Sequence, residues 1–266
     1  MSLDSYKNFI DDELYLDFES KYKKIFNSTD SNYEIMSDDT MECILGSILS
    51  EDNIETIDLS GLLLEGTLDI SKNINNIIKN KNIKKLDCSN NYFDVINAYN
   101  PNIHIHDFVF DNNPVKKIYL PNSFNENIDF LPSTIEVLIF PHNSIFNKPI
   151  NDLPTSLEVL STGNSFNQTI NNLPKNLINL MLGTKFNQPI NKLPPNLKTL
   201  IFDELNTYEY KLNCLPDSLE FISLPINYDN IIISLPDECK CICFNLTNEL
   251  GNHCQELKKK FRNKML

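Results

Sequence analysis

The sequence predicts an α/β solenoid, a ribbon of stacked coils that each contribute one short parallel strand. Three observations predict it. A Leu-Pro pair recurs with its prolines spaced 22, 20, 20, 22 and 20 residues apart. Apolar residues recur at fixed offsets from each of these prolines. The chain of 266 residues, 41 % of them hydrophobic, has enough apolar material for a long buried core.

Six of the Leu-Pro pairs set the frame of the repeat. They are Leu131-Pro132, Leu153-Pro154, Leu173-Pro174, Leu193-Pro194, Leu215-Pro216 and Leu235-Pro236. The third residues after the prolines are Ile135, Leu157, Leu177, Leu197, Leu219 and Cys239, and the sixth are Leu138, Leu160, Leu180, Leu200, Ile222 and Ile242. Because proline donates no backbone hydrogen bond, it marks the turn into each strand, which therefore follows it.

A second motif lies between the strands. A Phe-Asn pair with an isoleucine four residues after the phenylalanine begins at Phe124, Phe146, Phe166 and Phe186, and Tyr208 and Tyr228 hold the same place in later copies. A coil of twenty residues is too short for a helical crossover between parallel strands. The returning segment should therefore be extended or 3₁₀-like, with its aromatic and isoleucine side chains inside.

Upstream, the strand frame continues at longer spacing. Val115, Ile118 and Leu120 fit it, and the stretches Ile54–Leu59 and Ile83–Asn91 fit it as well. The count is then about nine strands, with irregular repeats over 53–114 and regular repeats over 115–245.

The repeat resembles the FNIP-repeat family, a leucine-rich-repeat variant found mainly in social amoebae and giant amoeba-infecting viruses. The segment Phe186-Asn187-Gln188-Pro189-Ile190, followed by Leu193-Pro194, carries the resemblance. The Leu-Pro-x-x-Leu-x-x-Leu frame is also similar to that of short bacterial effector repeats. The resemblance implies a leucine-rich-repeat solenoid and a protein-binding role. Family members often carry an N-terminal F-box, which usually opens with a Leu-Pro pair, and residues 1–52 contain no such pair.

The two ends of the chain fall outside the repeat. Residues 1–52 contain apolar residues at helical spacing, and we expect a helical cap or an adaptor-binding segment there. Residues 246–266 predict a capping helix that carries a Lys-rich run. Caps are expected because a bare solenoid end exposes both a sheet edge and the core.

The candidate partner-binding residues lie on the concave strand face. They flank the buried strand position and form a mostly apolar band: Tyr119, Val137, Ile139, Val159, Met181, Ile201 and Phe221. The upstream pairs Thr56/Asp58 and Lys85/Asp87 carry charge instead. A large exposed apolar patch is typical of interaction sites. The alternative is that β-branched residues merely pack across neighbouring strands.

Two clusters have the residue types of metal ligands without a standard spacing. One is Cys239, Cys241 and Cys243 with His253 and Cys254, and the other is His104, His106 and Asp107. We expect free thiols, no metal and no cofactor, because seven cysteines without a secretory signal are typical of a reducing compartment.

Composition and motifs argue against several function classes. A net charge of −13 disfavours nucleic acid and anionic membrane as partners. No apolar run is long enough to span a membrane, and no secretory signal is present, so we expect a cytoplasmic protein, in the host cytoplasm if viral. With six glycines and no nucleotide or nucleophile motif, an enzyme is not expected.

The sequence therefore predicts a non-catalytic protein-interaction module that binds a partner on the concave face. The alternative is a substrate receptor of a ubiquitin ligase, with a diverged F-box-like segment in residues 1–52. An enzyme built on the repeat face and a structural component of a virion remain further alternatives.

Overall fold

The structure is a computed structural model. It describes residues 56–62, 65–70, 83–98, 105–226, 228, 230, 232, 235–236 and 239–243. The predicted end segments 1–52 and 246–266 lie outside these residues, as do His104, His253 and Cys254.

The described residues form twelve short strands. In chain order they are β1 (Thr56–Asp58), β2 (Glu65–Asp69), β3 (Lys85–Asp87), β4 (Tyr92–Asn97), β5 (Asp107–Val109), β6 (Lys117–Tyr119), β7 (Val137–Ile139), β8 (Val159–Ser161), β9 (Asn179–Leu182), β10 (Thr199–Phe202), β11 (Phe221–Leu224) and β12 (Lys240–Cys243). They contain no α- or 3₁₀-helix, so this part of the chain is all-β with extended, turn-rich returns. The described residues therefore contain no helix that could cross a membrane.

All strand pairs are parallel, and they make two sheets. The larger sheet has nine strands in the order β12-β11-β10-β9-β8-β7-β6-β4-β2, and the smaller sheet has three in the order β1-β3-β5. Leu160 pairs with Leu180, which pairs with Leu200, so these leucines lie on adjacent rungs of one ladder. The predicted parallel-strand solenoid is confirmed.

The predicted path of the upstream coils was wrong. Ile57 and Leu86 pair with each other on the smaller sheet, and neither precedes Ile118 on its ladder. The neighbour of Ile118 is Ile96, which pairs in turn with Leu68. Each of the first three coils therefore contributes two strands, one to each sheet. The larger sheet has nine strands, but β2 and β4 replace two of the nine that were predicted.

The last strand differs from the predicted register by one residue. Ile222 pairs with Cys241, whereas the frame of the repeat would align it with Ile242. The turn before the strand keeps the repeat geometry, because the Cys239 N–H donates to the Pro236 carbonyl over 3.0 Å. The shift therefore arises after Cys239.

The prolines act as the sequence predicts, in the turn before each strand. In each copy the proline carbonyl accepts a hydrogen bond from the N–H three residues later, over 3.0–3.2 Å. The donors are Ile135, Leu157, Leu177, Leu197, Leu219 and Cys239. This closed turn directs the chain from the returning segment into the strand.

The core contains a column of aromatic rings, one from each regular coil. Successive ring centroids are 6.1, 6.0, 6.2, 6.0 and 6.1 Å apart. The column runs through Phe124, Phe146, Phe166, Phe186, Tyr208 and Tyr228. The first five rings are at most 3 % exposed. Each ring thus fills the space between its neighbours, so a single coil has no complete core of its own.

The asparagine after each phenylalanine forms a second column at the surface. The Asn147 N–H donates to Asn125 Oδ1 (2.9 Å), the Asn167 N–H to Asn147 Oδ1 (2.8 Å) and the Asn187 N–H to Asn167 Oδ1 (2.9 Å). Backbone donors that have no strand partner are thereby satisfied by the preceding coil. This role explains why the Phe-Asn pair recurs as a unit.

Coils of 22 residues accommodate their two additional residues between the strand and the aromatic column. Phe146 follows Leu138 by eight positions, whereas Phe166 follows Leu160 by six. The longer loops carry a buried polar residue, Ser144 or Asn206, that hydrogen-bonds nearby backbone. The column therefore stays continuous although coil length varies.

Candidate functional site

The structure brings all seven predicted partner-binding residues onto one face of the larger sheet. We call this the outer sheet face, since it is opposite the side occupied by Leu138, Leu160 and Leu180. One row is Lys117, Val137, Val159, Asn179, Thr199 and Phe221, and the other is Tyr119, Ile139, Ser161, Met181, Ile201 and Ser223. Alternation along each strand places both rows on the same side.

The apolar members of this face are less exposed than the sequence analysis assumed. Phe221 is 4 % exposed, Ile139 6 %, Met181 7 %, and Val137, Val159 and Ile201 are each 9 %. At about 200 Å² per large side chain, six such residues expose on the order of 100 Å² in total. The apolar band is therefore not an open patch of several hundred Å².

Polar side chains interrupt the band, and all of them except the buried Ser223 are more accessible than its apolar members. Lys117, Asn179 and Thr199 are half-buried on one row, and Tyr119 and Ser161 are half-buried on the other. Burial raises the pKa of the Tyr119 hydroxyl, so this group stays neutral and can donate a hydrogen bond at physiological pH. The face therefore combines an apolar floor with hydrogen-bonding groups.

The charged residues of the first coils do not belong to this face. Thr56 and Asp58 are on β1, and Lys85 and Asp87 are on β3, so both pairs lie on the smaller sheet. Within β3, Lys85 Nζ is 3.5 Å from Asp87 Oδ2. The charged and apolar surfaces that the sequence places along one band are thus on two different sheets.

One polar cluster was missed by the sequence analysis. His142 Nε2 lies 3.0 Å from Asp203 Oδ2, and His142 Nδ1 lies 3.1 Å from Asn164 Nδ2. Nearby, burial and the Asp203 charge raise the pKa of Glu204. His142 is exposed, so the pair is a surface contact worth about 0–1 kcal/mol when the imidazole is protonated. Its residues are 61 positions apart, and no local spacing signals their contact.

Cys88, Cys214 and Cys239 form no disulfide and lie in protected positions. Cys88 and Cys239 are buried and Cys214 is half-buried. Burial raises the pKa of the Cys88 and Cys214 thiols, which makes both poor nucleophiles and poor metal ligands at neutral pH. In the described part of the chain, no group of three or more His, Cys, Asp or Glu side chains could hold a metal ion.

Comparison with known proteins identifies the repeat. The model of the FNIP Repeat family matches residues 146–185, 169–205 and 186–226. No curated protein matches the chain. The matched segment covers the coils from Phe146 onward, in which the aromatic and asparagine columns are most regular.

Several solved structures of leucine-rich-repeat proteins resemble the chain. The circular LRR protein CroV588 is 21 % identical with a TM-score of 0.45, over 66 % of this chain and 33 % of that one. YopM from Yersinia enterocolitica WA-314 is 21 % identical with a TM-score of 0.34, over 62 % and 38 %. LIC12759 from Leptospira interrogans is 17 % identical with a TM-score of 0.26, over 80 % and 67 %. The chain spans less than two fifths of the length of the first two.

Leucine-rich-repeat folds commonly serve as protein-interaction modules. The family match and the parallel ladder agree on the central part of the chain. Residues 146–226 therefore match FNIP repeats and form consecutive coils of the parallel-strand solenoid.

Proposed function

We propose that this solenoid is a non-catalytic protein-interaction module that binds a partner on its outer sheet face, the concave face of the predicted solenoid. The observation that supports this most is the register of β6 to β11, which aligns twelve outward side chains in two rows. Six parallel strands about 4.8 Å apart span about 24 Å between the first and the last. That length suits one dimension of a standard protein interface.

The composition of the face fits recognition of a folded or extended protein surface. Apolar side chains such as Met181 and Ile201 are fixed by neighbours on both sides, so little entropy is lost when a partner covers them. The half-buried Asn179 and Thr199 supply hydrogen-bonding groups beside them. Binding energy would therefore come from a few well-packed apolar contacts and from the polar groups that surround them.

Low exposure determines which substitutions test the proposal. Aspartate at Met181 or Phe221 would bury a charge, so it would lower folding stability as well as binding. Arginine at Asn179 and Thr199 instead adds bulk and charge at half-buried outward positions. The matched control is Asn151→Arg with Thr155→Arg, which makes the same change at two exposed residues outside the face.

The experiment is affinity purification of the tagged full chain from the cells that produce it, followed by mass spectrometry. We expect at least one partner to be recovered equally with the wild type and with the control pair. The amount of this partner recovered with the Asn179→Arg/Thr199→Arg variant should be at least tenfold lower. Circular dichroism should show the same fold for all three proteins. If every partner is captured equally by both variants, the outer sheet face is not the binding site.

The alternative role as a ubiquitin-ligase receptor depends on residues 1–52, which lie outside the described residues. Deletion of residues 1–52 provides its test in the same experiment. Loss of a ligase adaptor with retention of the client would support a receptor. Retention of every partner would exclude an adaptor site in this segment.

A further inference from the structure

A second surface of the molecule, separate from the outer sheet face, has the features of a strand-docking site. The smaller sheet stops at β5, because the coil that follows contributes no strand to it. One edge of β5 pairs with β3, and among the described residues no strand lies beside the other edge. An unpaired edge presents backbone donors and acceptors that another extended chain can use.

The register identifies which backbone groups face this edge. The Asp107 N–H donates to the Lys84 carbonyl over 3.1 Å, and the Val109 carbonyl accepts from the Cys88 N–H over 2.9 Å. Since alternate residues of a strand direct their backbone groups to opposite sides, those of Phe108 point away from β3. The equivalent groups on β3 serve β5 in this way: Leu86 is the register partner of Phe108, and the flanking Lys84 carbonyl and Cys88 N–H bond Asp107 and Val109 of β5.

A cleft of about 560 Å³ lies along this edge, between residues 108–114 and residues 130–134. Its lining includes the aromatic side chains of Phe108, Phe110 and Phe130, with Phe108 stacked on Phe130 at 5.2 Å between ring centroids. Beside the cleft, Thr134 Oγ1 donates to the Val115 carbonyl over 2.8 Å and ties the two coils together. The cleft is therefore a short trough with a mixed polar and apolar lining and a backbone edge along one wall.

The cleft also contains a buried acceptor that the protein does not satisfy. Asn113 is 4 % exposed, and its Nδ2 donates to the Cys88 carbonyl over 3.0 Å. Its Oδ1 is buried and has no hydrogen-bond donor among the described residues. A buried polar atom without a partner costs about 1–3 kcal/mol, and a bound chain could supply a donor only if the Asn113 side chain turned toward the cleft, since less than 1 Å² of Oδ1 is accessible.

Charge around the cleft indicates the chemistry of the occupant. Asp107 and Asp111 are exposed at the edge, and no lysine or arginine lines the cleft. On a strand added beside β5, alternate side chains would face the aromatic lining and the solvent side of the sheet. The solvent-side positions would lie beside Asp107, where a basic residue is favoured as a cross-strand neighbour.

We propose that the free edge of β5 binds an extended peptide segment of another protein, with alternating basic and apolar residues, as a fourth strand of the smaller sheet. Strand addition of this kind gives affinity through main-chain hydrogen bonds and specificity through alternate side chains. β5 is about 10 Å long at 3.3 Å per residue, so it accommodates three to four residues of the added strand.

In the test, the full chain is titrated into a fluorescently labelled peptide, acetyl-Lys-Val-Lys-Val-Lys-Val-Lys-amide. Binding is measured by the fluorescence anisotropy of the peptide. We expect the peptide to bind, and the same peptide with N-methylated valines or with glutamates for lysines to bind at least tenfold more weakly. Hydrogen exchange at the Phe108 amide should slow at least tenfold when the peptide is bound. Equal binding of the N-methylated peptide, no binding at all or an unchanged Phe108 amide would each overturn the proposal.

Matched charge variants separate a specific site from general attraction to an acidic protein. Asp107→Lys with Asp111→Lys changes the net charge by the same amount as Asp152→Lys with Asp217→Lys, and all four residues are exposed. We expect the first pair to weaken peptide binding at least tenfold and the second pair to change it less than threefold. Equal weakening by both pairs would show non-specific attraction and would refute the site. The Asn179→Arg/Thr199→Arg variant should bind the peptide like the wild type.

Discussion

The two-strand coils (56–119) and the one-strand coils (138–226) use the same residue type, asparagine, in two different ways to hold neighbouring coils together. In the two-strand coils the amide is buried: Asn91 Nδ2 is 2.8–3.1 Å from the carbonyl oxygens of Leu59, Cys88 and Ser89. In the one-strand coils, the exposed or half-buried amides of Asn147 and Asn167 accept hydrogen bonds from backbone N–H groups.

The difference shows what a coil needs when it lacks a second strand. In the first three coils, the smaller sheet pairs the backbone N–H and C=O groups of this second strand. Asparagine is then needed only at the tight turn that follows each strand of the smaller sheet. Without that sheet, the returning backbone must find partners in side chains, and the Phe-Asn pair supplies one ring and one amide per coil. The two regions therefore predict different costs for equivalent substitutions.

The largest effect is expected in the aromatic column. Phe166 is fully buried between Phe146 and Phe186, whose rings are within 5° of parallel to it. Phe166→Ala removes both contacts and should lower the free energy of unfolding by about 3–5 kcal/mol. Urea titration measures this, and Leu205→Ala, at a side chain that is 52 % exposed, should cost about 0.5 kcal/mol or less. Similar costs for both variants would mean that the column does not hold the coils together.

The buried amide of the two-strand coils comes next. Asn91→Ala removes the donor from three carbonyl oxygens in a site that is fully buried. We expect a loss of about 2–3 kcal/mol, because buried carbonyls without partners carry a desolvation penalty. Asn91→Asp keeps the shape but removes the donor, so it should be no better than alanine. Full stability of Asn91→Asp would refute the role assigned to Nδ2.

How far the sequence predicts this fold depends on how often a pattern repeats. Five copies of the proline frame define β7 to β11, and their register is confirmed, whereas the sixth copy precedes β12, whose register is shifted by one residue. The upstream error arose because two frames fit equally well. Phe93, Ile96 and Ala98 match Val115, Ile118 and Leu120 at an offset of 22 residues, yet Ile83, Leu86 and Cys88 match the same apolar pattern. With only three two-strand coils, periodicity alone does not decide which strand joins which sheet.

The sequence predicts which side chains lie on the outer sheet face, but it does not predict how exposed they are. Side-chain alternation places Val137 and Met181 on the outer sheet face, as expected. Their exposed fractions depend on neighbours in other coils, which no local pattern reports. The contact between His142 and Asp203 and the edge of β5 likewise depend on the stacking of coils that are distant in sequence.

The two regions require glycine for different physical reasons. A Cβ at Gly183 would lie 2.0 Å from the Gly163 carbonyl oxygen, so Gly183→Ala should cost about 1–3 kcal/mol through a backbone shift. A Cβ at Gly61 would meet no atom within 4 Å, but its φ is +70°. Thermal unfolding should show that Gly61→Asn is nearly neutral, because Asn90 and Asn112 occupy the equivalent turns with φ of 55° and 56°. A harmless Gly183→Ala would contradict the close approach of the coils.

The smallest effect is expected at the surface asparagine column. Asn167→Ala removes the acceptor for the Asn187 N–H at 2.9 Å and for Gln188 Nε2 at 3.1 Å. Water can replace a partner at this half-buried site, so the loss should be only about 0.5–1.5 kcal/mol. Hydrogen exchange is the sharper measurement, because the Asn187 amide should exchange faster in Asn167→Ala and remain unchanged in the exposed control Asn196→Ala. If the Asn187 amide keeps its protection in Asn167→Ala, the side-chain column does not replace the missing strand, and the contrast between the two regions loses its physical basis.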